Sequence, residues 1–380
     1  MTRTWDIFCS VVDNYGDVGV CWRLARQLSL ELQQSVRLWV DNLESFHCIC
    51  RTVDPAFESQ DVSGVNIRRW SKTLPPAVPA DIVVEGFGAR LPARYVEAMA
   101  GRSPPPVWIN LEYLSAESWV EGCHGLPSPQ PHLPLVKHFF FPGFTPATGG
   151  LLIESALART RDAFQNDAAA VARFWRTLGV ASCADAALKV SLFCYDNAAL
   201  PELVATWSAG SAPILCIVPA GKALGQLSVI AGRSIEPGTR LVLGRLTIQA
   251  TAFLDVDQYD RLLWACDINF VRGEDSFVRA QLAARPMVWQ AYPQKEDAQL
   301  AKVDAFVDRY ARGLDAATAG AVRSHYRTWN EQSRGAGRCW EALLARHAAA
   351  NAHARVWAAD IFKGGSLAIK LAEFCQDRLE

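Results

Sequence analysis

Two short stretches carry residue types able to do chemistry. The first, Asp13-Asn14-Tyr15-Gly16-Asp17, sets two carboxylates in a turn with glycines at 16 and 19. Such a pair can grip a cation or accept a proton, but it repels phosphate at close range. The turn therefore does not read as a dinucleotide loop, whose G-x-G-x-x-G offers bare amides to a pyrophosphate. A plainer reading has Asp17 capping the next helix and Asp13 closing an Asx-turn. The second stretch, Arg272-Gly273-Glu274-Asp275-Ser276, reads as the end of a strand, a glycine and a helix N-terminus. That order can receive a diphosphate, with Arg272 adding charge and the Ser276 hydroxyl another donor. Glu274 and Asp275 suit sugar hydroxyls, or simply occupy a first turn where acids are favoured.

These stretches need elements to hold them. Residues 7–12 form a short apolar run, the pattern of a strand buried on both faces, and Val20, Cys21, Leu24 and Leu28 give the next segment a helical stripe. Further strands are expected at 36–40, 65–68, 81–86 and 107–110, alternating with helices. Proline-rich pieces at 103–106 and 126–134 and an aromatic run at 138–144 then interrupt the rhythm, and the aromatics read as core. A helical stretch at 163–178 leads to a second series of strands at 188–194, 213–218, 240–246, 268–271 and 287–289. Two Rossmann-like α/β domains in series, facing a central cleft, make the glycosyltransferase B fold. The expected division is an N-terminal domain over 1–155, completed by a C-terminal helix at 358–380, a connecting segment at 156–183, and a C-terminal domain over 184–357.

The chain has 380 residues, half of them hydrophobic, and a formal net charge of −1. No electrostatic footprint for nucleic acid or an anionic membrane is present. No apolar run approaches the roughly 18 residues of a membrane span, and no signal-like N-terminus is visible, so a cytoplasmic protein is expected. The 11 cysteines include no C-x-x-C pair, and Cys9, Cys194, Cys216 and Cys266 lie in apolar runs as small core residues. The seven histidines are dispersed, which gives no metal cluster and no Cys-His nucleophile. Asp255-Val256-Asp257 spells D-x-D, a metal-binding motif of another glycosyltransferase fold, but its place before a helix favours capping. No metal is expected.

The opening WDIFCSVVDNYGDVGVCWRLARQL and the later DQYDRLLWACDINFVRGEDSFVRAQLAARPMVWQAYPQKEDAQ closely resemble the bacterial elongation factor P protein-arginine rhamnosyltransferases, over nearly the full length. The resemblance implies transfer of L-rhamnose from dTDP-β-L-rhamnose to one arginine of elongation factor P, with inversion at the anomeric carbon. The modified factor would relieve ribosomes stalled at polyproline. The family's acidic pair falls on Asp13 and Asp17, with Asp17 the implied general base, and its catalytic glutamate on Glu274. Asn14, Tyr15 and Gly16 fall beside the donor. The nucleotide-sugar contacts fall on Phe193, Tyr195, Gln258, Arg272, Gly273, Asp275 and Ser276, with Phe253 as a platform for thymine.

Arginine suits two carboxylates as an acceptor. Its guanidinium stays protonated, with a pKa above about 12, and is a poor nucleophile. Paired acids can hold the planar fork, aim one nitrogen and accept a proton as the new bond forms. A nucleotide-sugar epimerase of the same fold and a non-catalytic adaptor are the competing readings. An epimerase needs no protein acceptor, and an adaptor has little use for Asp13, Asp17 and Glu274.

Overall fold

Strand β1, Thr4–Cys9, organises the first unit of the computed structural model, which describes residues 2–11, 15–71, 77–180 and 187–379. All of β1 but its first residue is buried. It lies inside an eight-stranded sheet with β2 (Ser35–Val40), β3 (Ser59–Val62), β4 (Val65–Arg69), β5 (Ile82–Gly86), β6 (Val107–Leu111), β7 (Pro127–Pro129) and β8 (Val136–Phe140). The order is β3-β4-β2-β1-β5-β6-β8-β7. The β3–β4 and β7–β8 pairs are antiparallel; the others are parallel. Without the two antiparallel edges this is the Rossmann order, and it reverses between β1 and β5.

The one charge in β1 is fully satisfied. Asp6 is buried and accepts from Arg37 Nε (2.6 Å) and Nη2 (2.5 Å), Trp39 Nε1 (2.8 Å), the Ala80 amide (3.0 Å) and the Tyr95 hydroxyl. Above it Phe8 stacks on Trp39 at 5.5 Å and meets Trp70 and Tyr95 edge-on, so the strand's position is fixed by packing and charge together. The strand is shorter than the apolar run suggests. It ends at Cys9 because the Val11 amide bonds to Asp41 Oδ1 (2.9 Å) instead of a neighbouring strand.

Three further differences from the sequence reading have local causes. The aromatic run continues the sheet: Val136–Phe140 pairs with β6, and the proline-bearing β7 lies at the edge, where missing amide donors are tolerated. The single strand expected at 240–246 is a hairpin, turned at Gly244 (φ +55), where a Cβ would lie 2.3 Å from the Ser208 carbonyl oxygen. The helix expected at 358–380 is two, His347–Lys363 and Leu367–Gln376, broken at Gly365 (φ +84). There the Leu367 amide bonds to the Leu151 carbonyl (2.7 Å) and Phe374 packs on Phe140.

The chain divides into two compact units, one up to Ser155 together with the residues from Ile361 onward, the other Ala156–Asp360. Helices Leu157–Asn166 and Ala168–Thr177, in the stretch expected to connect the domains, fall in the second unit. Its sheet comprises β9 (Leu188–Leu192), β10 (Ile214–Pro219), β11 (Arg240–Leu243), β12 (Leu246–Thr251), β13 (Ile268–Arg272) and β14 (Met287–Gln290), in the order β11-β12-β10-β9-β13-β14. Only the β11–β12 pair is antiparallel, and the order reverses between β9 and β13. The loops after β9 and β13 therefore emerge side by side at a topological switch point.

Behind β13, Phe270 is surrounded by Trp207, Trp329, Trp340 and His325. His325 is buried, and burial pushes its pKa down from 6.5 to about 4. The folded protein thus resists protonating a group that the unfolded chain protonates below about 6.5. Its contribution is complete above that pH and is lost as pH falls towards 4, by about 2 kcal/mol at pH 5. Urea unfolding at pH 7 and pH 5 should show this loss, and His325→Leu should reduce the pH dependence.

Candidate active site

In the first unit, the chain leaves β1 at the reversal of strand order and enters the helix Gly16–Leu30. Asp13 and Asn14 lie outside the described residues. Tyr15 occupies the N-cap position without a side-chain capping bond, Gly16 opens the helix, and Asp17 stands in its first turn, fully buried. Asp17 is thus not the cap residue that the plainer reading made it. The helix's positive end favours a carboxylate there. It lies close enough to help push the buried Cys9 thiol's pKa up, behind the larger effects of the Cys21 contact and burial.

The helix can sit this close to the sheet because β5 ends in glycine. A Cβ at Gly86 would lie 2.7 Å from Cys21 Sγ and 3.2 Å from the Phe8 carbonyl oxygen. At the other end of the helix Gln27 Nε2 donates to the Ile153 carbonyl (2.6 Å), and Gln27 Oε1 accepts from the Ser366 hydroxyl (3.2 Å). Asp17 therefore rides on an element anchored to three other segments of its unit.

In the second unit the switch-point loops carry an arginine held between two rings. Arg272 ends β13 and is 5% exposed, with its Cζ 4.5 Å from the Phe193 ring centroid and 4.4 Å from that of Tyr195. Its Nη1 is buried and has no hydrogen-bond partner. A buried unpaired guanidinium donor is costly, and its charge makes an anion the partner that would satisfy it best. Beside it the chain turns through Gly273, at φ +62, into the helix Asp275–Leu282, whose first amides supply further donors.

The acids and the hydroxyl of this turn take distinct places. Glu274 is buried at the N-cap position with no side-chain capping bond, and Asp275 is half-buried in the first turn. Ser276 Oγ accepts from the Arg272 amide (3.1 Å) and donates to the Arg272 carbonyl. Its hydroxyl thus helps to shape the turn. Arg279, further along the helix, is bound by both oxygens of buried Asp260 (2.9 and 2.6 Å), which locks this helix to Val256–Ala265.

Phe253 meets Phe193 edge-on at 6.3 Å and so joins the aromatic wall. Gln258 lies on the adjoining helix, where it closes a capping box with Asp255. Asp255 Oδ1 accepts from the amides of Asp257 (3.1 Å) and Gln258 (2.8 Å), which explains the D-x-D spelling by helix initiation. Among the described residues no group of three His, Cys, Asp or Glu side chains is arranged to hold a metal ion. Tyr259, against Phe193 at 5.6 Å, and Tyr292, against Tyr195 at 5.4 Å, complete the wall and were not singled out by sequence. The signal for Tyr292 was its position just beyond β14, a third strand ending at the same sheet edge.

The fold is shared with a glycosyltransferase from Rickettsia africae, at a TM-score of 0.54 and 10% identity over 100% of this chain and 99% of that one. Two Rossmann-like sheets with these switch-point loops give the chain the glycosyltransferase B fold. The family model described as "Elongation-Factor P (EF-P) rhamnosyltransferase EarP" matches residues 5–376. The chain belongs to this family. It is 47% identical over 380 residues, the whole of both chains, to a protein-arginine rhamnosyltransferase of Pseudomonas putida. A solved structure described as the structural basis for EarP-mediated arginine glycosylation of translation elongation factor EF-P aligns at a TM-score of 0.72 and 34% identity, covering 99% of each chain. Among the described residues no helix is long and apolar enough to cross a membrane.

Proposed function

We propose that this enzyme transfers L-rhamnose from dTDP-β-L-rhamnose to one arginine of elongation factor P, with inversion, in the cytoplasm, and so prepares the factor to rescue ribosomes stalled at polyproline. The observation that carries the donor half is Arg272, clamped by Phe193 and Tyr195 beside a helix N-terminus with its Nη1 unsatisfied. The acceptor half is supported by the similar structure concerned with arginine glycosylation of EF-P, and by Asp17 in the first unit.

In a single displacement, one guanidinium nitrogen attacks the anomeric carbon while the bond from that carbon to the diphosphate oxygen breaks. Asp13 and Asp17 hold the remaining guanidinium nitrogens, and Asp17 accepts the proton that becomes acidic as the C–N bond forms. Negative charge developing on dTDP is met by Arg272 and the amides following Gly273. Glu274 and Asp275 bind sugar hydroxyls, and Phe253 offers a face to thymine. With these positive groups in place no metal is needed.

The test is intact-mass analysis of elongation factor P after incubation with the enzyme and dTDP-rhamnose in the presence of EDTA. One added deoxyhexose is expected. An unmodified factor with and without added metal would overturn the reading, and modification restored only by magnesium or manganese would overturn its metal-free form.

A further inference from the structure

Gln290, the last residue of β14, is 1% exposed in a strand whose other residues are Met287, Val288 and Trp289. A primary amide in that setting costs free energy unless both of its ends are bonded, a demand that methionine would not make. Both ends reach the loop after β9. Oε1 accepts from the Tyr195 amide (2.9 Å), and Nε2 donates to the Asp196 carbonyl (3.4 Å). The Gln290 carbonyl accepts from the Gly273 amide (3.3 Å), and in the ladder Gln290 is the partner of Arg272. One residue therefore ties together the two loops whose side chains, Tyr195 and Arg272, stack at 4.4 Å. Neighbouring bonds brace it: Trp289 Nε1 donates to the Gly273 carbonyl (2.9 Å), and Asn330 holds the Ala291 amide (2.9 Å) and the Trp289 carbonyl (2.8 Å).

We propose that Gln290 is a positioning residue for donor binding: it fixes the Tyr195 loop so that the ring holds the Arg272 guanidinium at the angle a diphosphate requires. This rests on the donor site proposed above. Gln290 does not touch the donor; it acts through Tyr195 and Arg272. Without it the Tyr195 amide loses its acceptor and the clamp on Arg272 opens on one side.

Gln290→Met keeps the volume and removes both bonds. By calorimetry its affinity for dTDP should fall about tenfold, and its donor KM should rise in parallel, while the rate at saturating donor changes by less than about twofold. In an Arg272→Ala background the same change should cost less than about twofold, because the group being positioned is gone. Wild-type affinity in Gln290→Met would overturn the proposal, as would an equal loss in the Arg272→Ala background, which would mark general loosening. If Gln290→Met does not fold, as judged by circular dichroism, Gln290→Asn serves, since its shorter amide cannot make both bonds. Undiminished dTDP affinity in Arg272→Ala alone would instead refute the donor site itself.

Discussion

Asp17→Asn should abolish transfer to elongation factor P while leaving the affinity for dTDP-rhamnose intact. The substitution is isosteric, so the helix Gly16–Leu30 and its anchors at Gln27 are retained, and what disappears is the charge of one fully buried carboxylate. In the proposed mechanism that charge has two tasks: it orients the acceptor guanidinium and it takes the proton released as nitrogen becomes bonded to carbon. Loss of a general base typically costs about 10² to 10⁴ in rate, and loss of positioning adds to it. The proposed donor groups lie in the second unit, on the loop after β9, on β13 and on the helix after Gly273, so their affinity has no reason to change. Asp13→Asn should behave similarly. The double variant should be less than multiplicatively worse if both acids act on one guanidinium. Single-turnover transfer measured beside donor titration separates the cases. Near-normal transfer by Asp17→Asn would sink its role as base, and lost donor affinity would move it to the sugar.

The sequence made the donor turn easier to read than the acceptor turn. Around 268–276 a β-branched strand, a glycine and clustered acids in a first helical turn each obey a local rule, and β13, Gly273 and the helix from Asp275 appear where those rules put them. Local rules did not reveal the surroundings of Arg272, which only the family resemblance grouped with Phe193 and Tyr195. Phe193 and Tyr195 lie about eighty residues away and reach the arginine only because β9 pairs with β13, a long-range choice that periodicity does not encode. The bonds of the Ser276 hydroxyl escaped the same local rules, since its partners are the backbone atoms of Arg272 four residues earlier, set by the tightness of the turn. Strand β12 was missed because Thr247, Gln249 and Thr251 alternate with apolar residues as though facing water, whereas Gln249 and Thr251 are buried. Val136–Phe140 was masked by flanking prolines, which here mark a sheet edge.

Arg272→Ala should weaken dTDP binding by about 1.5 to 3 kcal/mol, roughly 10- to 150-fold in affinity, because it deletes a charge-assisted contact to phosphate from a buried setting. The size of the effect follows from where the arginine sits. Stacked between Phe193 and Tyr195 and 5% exposed, it has already surrendered most of its hydration and rotamer freedom, so little is spent when the anion arrives. Arg272→Lys tests this account more sharply than alanine. Lysine keeps the charge but not the plane; it cannot lie flat between two rings, and its compact ammonium is more strongly hydrated. Affinity for dTDP should therefore fall to a value between those of the wild type and the alanine variant, and it should depend more steeply on salt, as expected for a charge less enclosed. Calorimetric titration at two ionic strengths measures both quantities. A lysine variant that bound dTDP as tightly as the wild type would show that charge alone matters and that the aromatic clamp has another purpose.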